Sequence, residues 1–117
     1  MPERYLLRGA RVVDPASGRD AVVDVAIADG VVAAVGKGAS GGTTIDAGGL
    51  VLAPGLVDLH THLREPGFEH KETIETGTRA AAIGGFTAVA PMANTDPVAD
   101  AAAVVHEVRA RATAHGL

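Results

Sequence analysis

Apolar residues come in short runs separated by turn residues up to about position 54, then in a longer run that ends in alternating polar positions, and finally at helical spacing. Tyr5-Leu6-Leu7 and Arg11-Val12-Val13 read as strands leading into a turn at Asp14-Pro15-Ala16-Ser17-Gly18, where proline and glycine supply the required backbone angles. Residues 22–28 and 31–35 flank Asp29-Gly30, a two-residue hairpin signal because both turn positions favour positive φ. Residues 36–42 read as a loop, and Thr43-Thr44-Ile45 with Leu50-Val51-Leu52 adds more strand. Residues 1–54 are therefore expected to form a small antiparallel β unit.

The pattern changes at Pro54-Gly55. The run Leu50-Val51-Leu52-Ala53-Pro54-Gly55-Leu56-Val57 continues into Asp58-Leu59-His60-Thr61-His62-Leu63-Arg64 as a strand, followed by a loop over 65–70. The spacing then predicts a helix over 72–83 with Ile74, Thr78, Ala81 and Ala82 near one face, small enough for close packing on a sheet. Gly84-Gly85 should end it, since glycine accepts the left-handed C-terminal conformation. Residues 86–90 read as a second buried strand. A second helix follows Asp96-Pro97 or Asp100, with Val104, Val105, Val108 and Ala112 as its inward stripe. The order strand, helix, strand, helix implies an α/β unit with a parallel sheet. In such folds functional groups gather at the carboxyl ends of strands. His60, His62 and Arg64 stand at one such end, and Asn94 and Thr95 at the next.

Composition narrows the chemistry. With 47% hydrophobic and 21% charged residues the chain of 117 is expected to be globular and soluble, with cores of small aliphatic side chains because aromatics make up only 3%. The absence of cysteine excludes disulfides and thiolate metal sites and leaves histidine and carboxylate as ligands. A net charge of -4 argues against nucleic acid as a partner. No apolar stretch reaches about 18 residues and no signal-peptide core is visible, so neither a membrane span nor membrane association is expected and the cytoplasm is the expected compartment. The glycines of 36–42 are not a phosphate loop, having no Gly-Lys-Ser or Gly-Lys-Thr ending and no helix after them.

In an extended strand alternate side chains share a face, so Asp58, His60, His62 and Arg64 would project together. Two imidazoles two residues apart can bind one divalent ion, and a nearby carboxylate can orient a ring from behind. The plainer reading is an amphipathic edge strand with two solvent-facing histidines. His70, His106 and His115 read as solvated surface histidines, Lys71, Glu72 and Glu75 as the solvated start of a helix, and Glu107, Arg109 and Arg111 as an exposed helix face.

Taken together, Gly55-Leu56-Val57-Asp58-Leu59-His60-Thr61-His62-Leu63-Arg64-Glu65-Pro66-Gly67, Lys71-Glu72-Thr73-Ile74, Thr76-Gly77, Gly84-Gly85-Phe86-Thr87, Asn94-Thr95 and Pro97 resemble dihydroorotases of the bacterial type in the amidohydrolase superfamily. The resemblance is specific in the central part and generic before residue 50. It implies an amidohydrolase-type (β/α)8 TIM barrel preceded by a small antiparallel β-sandwich segment. Residues 1–54 would be the N-terminal part of the sandwich domain, and 55–117 the first two strand-helix units of the barrel.

The resemblance also implies roles. His60 and His62 would be ligands of zinc, one or two ions, with Asp58 supporting them from below. Arg64 and Asn94 would hold the carboxylate of dihydroorotate or N-carbamoyl-aspartate, the arginine through a forked, charge-assisted pair. The activity would be reversible, zinc-dependent hydrolysis of a cyclic amide in pyrimidine biosynthesis. Met92-Ala93-Asn94-Thr95 departs from the family pattern in having alanine where proline is common. A whole barrel takes roughly 200 residues or more, so the chain is expected to be an N-terminal fragment, inactive alone, with the other metal ligands and the acid/base carboxylate in sequence not present. Related possibilities are a hydantoinase- or allantoinase-like enzyme, against which Arg64 and Asn94 weigh, or a non-catalytic homologue that partners aspartate carbamoyltransferase. At full length the resemblance implies a homo-oligomer.

Overall fold

In the computed structural model, which describes residues 3–115, Tyr5-Leu6-Leu7 and Arg11-Val12-Val13 are not separate strands but two halves of one, β1 (Arg4–Asp14). A bulge between Leu7 and Ala10 joins the halves; Gly9 lies there at a φ of +73° and its N–H donates to Asp24 Oδ1 at 2.9 Å. The chain divides into two compact units, Met1–Pro54 and Gly55–Leu117.

In the first unit β1 turns through residues 14–18 into β2 (Arg19–Ala28), and the Asp14 carboxylate closes the turn by accepting from the Ala16 N–H and the Ser17 hydroxyl. The Asp29-Gly30 turn to β3 (Val31–Val35) has φ of 52° and 77°, both in the left-handed region that its sequence predicts. β4 (Thr43–Asp46) and β5 (Val51–Leu52) then both pair with β1. The sheet runs β3-β2-β1-β4, with β5 also on β1.

The first unit is not the wholly antiparallel one that its strand and turn pattern suggests. β1, β2 and β3 are antiparallel, but β4 and β5 run parallel to β1. The β2-β3 hairpin and the loop after it act as the crossover that a parallel connection needs, returning the chain to the far edge of β1. Ala10, Val12, Val25 and Ala47 form the core, flanked by Leu7, Val23, Val35 and Leu52.

The second unit contains β6 (Leu56–Thr61), α1 (Ile74–Ile83), β7 (Phe86–Pro91) and α2 (Ala102–His115). β6 and β7 pair parallel, as the element order requires. Thr73 caps α1: its hydroxyl accepts from the Thr76 N–H, while Thr76 Oγ1 accepts from the Thr73 N–H. The helix thus starts after Thr73 and not at Glu72. At its other end Gly84 stays right-handed (φ -77°), and Gly85 takes the left-handed position (φ 83°).

Ile74 is fully buried, worth about 2 kcal/mol against leaving it in water. Gly77 is also buried; a Cβ there would come within 2.3 Å of Leu63 Cδ2. On α2 only Val104 of the expected stripe is buried, and Val105 is 42% exposed. Ala82 faces solvent.

Candidate metal centre

β6 and β7 end side by side. Thr61 pairs with Pro91, the Met92 N–H donates to Thr61 O at 2.8 Å, and the chain beyond each strand forms one of two adjoining loops. The loops are tied together: the Asp96 N–H donates to Pro66 O at 3.0 Å, and Gly67 (φ +98°) lies so close to Asp96 that a Cβ would come within 2.3 Å of its carbonyl oxygen. Buried Thr95 donates its hydroxyl to Pro97 O at 2.8 Å, and the Ala99 N–H donates to Ala93 O at 3.1 Å. These bonds fix where His62, Arg64 and Asn94 emerge.

The simple alternation expected for residues 58–64 does not hold. Between the Asp58–Val89 and Thr61–Pro91 pairs β6 has one residue more than β7, which is a bulge, and the strand ends at Thr61. His62 and Arg64 therefore belong to the loop. The His60 N–H donates to Asp58 Oδ1 at 2.9 Å. Asp58 thus holds the His60 backbone and, among the described residues, forms no hydrogen bond with either imidazole ring.

His60 and His62 nevertheless come together. Their ring centroids are 5.2 Å apart, edge to face at 62°, and both are exposed. Two imidazoles that each direct one nitrogen to a tetrahedral zinc at about 2 Å have centroids about 5 Å apart. The 5.2 Å separation of the two rings is the one that two such donors would have. Among the described residues no group of three or more histidines, cysteines or carboxylates completes it, whereas a catalytic zinc takes about three protein ligands.

Asn94 meets the pair from β7's loop, with Oδ1 at 3.2 Å and Nδ2 at 3.1 Å from His62 Nδ1. Arg64 is half-buried and, among the described residues, forms no ion pair. His70, His106 and His115 are exposed.

One organising residue was not visible in the sequence. Glu65 accepts the Ile74 N–H on Oε2 at 2.8 Å, at the N-terminus of α1, and its Oε1 pairs with Arg111, which also holds Glu107 on α2. The Glu65 side chain is only 14% exposed. Arg111 is thus a link between helix and loop, not part of a free helix face; the Glu65 and Glu107 carboxylates raise its pKa further. Partners nine and 46 positions apart have no periodic signature. The Gly67 N–H meets both oxygens of Glu69 at 3.0 Å and holds that carboxyl below the usual glutamate range.

The site sits at the carboxyl end of a parallel strand pair, a position shared by many α/β enzymes, and comparison with known proteins defines its family. A family model described as dihydro-orotase-like matches residues 49–116. Dihydroorotase of Geobacter sp. (strain M21) is 52% identical over 115 residues, covering 96% of this chain and 27% of the relative. Dihydroorotase of Pelotomaculum thermopropionicum is 52% identical over 109 residues, covering 92% of this chain and 26% of the relative. The chain belongs to the dihydro-orotase-like family. It spans about a quarter of the length of the curated relatives it matches.

Proposed function

We propose that the chain carries part of the active site of a dihydroorotase, with His60 and His62 as zinc ligands and Arg64 and Asn94 as the groups that receive the substrate carboxylate. The observation that carries this reading is the meeting of the two imidazoles, 5.2 Å apart, beside Asn94 at the ends of two parallel strands, in a chain about half identical to proteins named dihydroorotase. In this reading residues 55–117 are two strand-helix units of a (β/α)8 barrel, and residues 1–54 belong to a separate β domain. The remaining ligands and the proton-transferring carboxylate come from outside the chain.

Zinc, when bound, supplies an activated water and polarises the amide carbonyl. The residues of this chain bind and orient. Arg64, with no carboxylate paired to it among the described residues, offers a forked donor set to an anionic substrate. The bond from the Asp96 N–H to Pro66 O ties the 62–70 loop to the 92–100 loop, so that a substrate held by Arg64 and Asn94 would be aligned at little cost in disorder. The Arg64 charge favours a carboxylated ring, dihydroorotate, over a hydantoin that lacks the carboxylate.

The test is a chimera in which this chain replaces the aligned quarter of the Geobacter sp. (strain M21) relative. It should hydrolyse dihydroorotate, and Arg64→Ala should lower kcat/KM for it about 10- to 100-fold, the worth of a charge-assisted pair. A folded, zinc-loaded chimera that turns over hydantoin but not dihydroorotate would overturn the assignment.

A further inference from the structure

Both amide atoms of Asn94 lie within hydrogen-bond reach of His62 Nδ1, Oδ1 at 3.2 Å and Nδ2 at 3.1 Å, and the two amide orientations have opposite chemical consequences. If Nδ2 donates, Nδ1 is consumed as an acceptor and the neutral ring carries its proton on Nε2, leaving no lone pair for a metal. If Oδ1 accepts, Nδ1 carries the proton and the Nε2 lone pair is free. A neutral imidazole without partners prefers the Nε2–H form, so a ligand histidine that binds through Nε2 needs a fixed acceptor at Nδ1. Among the described residues Asn94 is the hydrogen-bond partner of the His62 ring, and the ring of His60 has none.

We propose that Asn94 is a positioning residue for His62: its Oδ1 accepts from Nδ1–H and holds the ring in the tautomer that presents Nε2 to the metal, while its Nδ2 remains free to donate to the substrate carboxylate. This inference rests on the metal-site reading above. An amide suits both tasks. A carboxylate would accept as well but would repel an anionic substrate, and a hydroxyl would not fix the direction of the bond. Asn94 is held in place by its neighbours, through the Thr95 hydroxyl on Pro97 O and the Asp96 N–H on Pro66 O.

The test uses the metal-free chain, with long-range proton-nitrogen correlation spectra of the histidine rings recorded about two units above the ordinary imidazole pKa of about 6.5. His62 should be mainly in the Nδ1–H form. Asn94→Ala should shift the tautomer ratio roughly 2- to 10-fold toward Nε2–H, the effect of one net hydrogen bond. Asn94→Asp should restore the Nδ1–H form, a rescue that a merely structural role would not produce. His60 should be unchanged throughout. A wild-type His62 mainly in the Nε2–H form, a ratio insensitive to Asn94→Ala, or an Asp variant that resembles Ala would each overturn the proposal.

Zinc added to the same samples separates this from the underlying reading. Zinc should perturb both rings, with affinity lowered about 10-fold or more by Asn94→Ala and retained in Asn94→Asp. Zinc that perturbs neither ring sinks the metal site itself; zinc that perturbs both while the tautomer ignores Asn94 sinks only the positioning role.

Discussion

Glu65 carries more of the local structure than its neighbours, because one carboxylate satisfies the first amide of α1 and the guanidinium that ties α2 to the loop. Glu65→Ala should lower stability by about 2 kcal/mol in chemical denaturation, and Glu65→Gln, which keeps an acceptor for Ile74, by less. Equal loss in both, or none, would mean that the link does not hold the helices. Glu69 gives a pH signature. Its pKa is depressed by the Gly67 N–H, so its contribution is present above the unfolded glutamate value, about 4.3, and lost as pH falls through the lower folded value. The Gly67 amide shift should titrate with that lower midpoint and stop titrating in Glu69→Ala; a midpoint at or above the ordinary value would contradict the bond. The histidine pair is legible because two residues of separation is a local fact. The partnership of Asn94 with His62, 32 positions away, exists only once two strands end together.

Among the elements, two local signals were readable because a glycine set the backbone conformation, whereas the Gly9 bulge that makes β1 one strand was not. The Asp29-Gly30 turn and the glycine stop after α1 follow from positive φ. Strand direction is different: nothing in Thr43-Thr44-Ile45 says that it will lie parallel to β1, since that depends on how the preceding hairpin is carried across. The β6 bulge is hidden for a similar reason, arising from pairing with β7 and not from composition. Helix α1 permits a sharp test. Gly77→Ala gains about 1 kcal/mol of helix propensity, yet its Cβ would lie 2.3 Å from Leu63 Cδ2, and Leu63 is 7% exposed. The overlap should win, for a net loss of about 1–2 kcal/mol in denaturant midpoint measurements, partly recovered by adding Leu63→Val. A stabilised Gly77→Ala would show that the helix does not pack as closely as described.

Across the whole molecule, each unit exposes apolar surface. Val22 (70% exposed) and Val31 and Val32 (both 63%) lie in the first, and Leu59 (74%) and Ile83 (90%) in the second. In addition, β6 and β7 form a two-stranded sheet among the described residues, so each has an edge without a ladder partner. Such surfaces drive association, and sedimentation should show mass that increases with concentration; a strictly monomeric chain would mean that the apolar surface is too dispersed to act. Metal binding nevertheless turns on two side chains, His60 and His62. The most direct test is zinc bound at equilibrium dialysis, counted by elemental analysis, for the chain as it stands and for the His60→Ala, His62→Ala double variant, in which His70, His106 and His115 remain. The parent chain should take up zinc, more weakly than a site with three protein ligands, and the variant should not. Equal uptake by both, or none by the parent chain, would contradict the assignment of His60 and His62 as metal ligands.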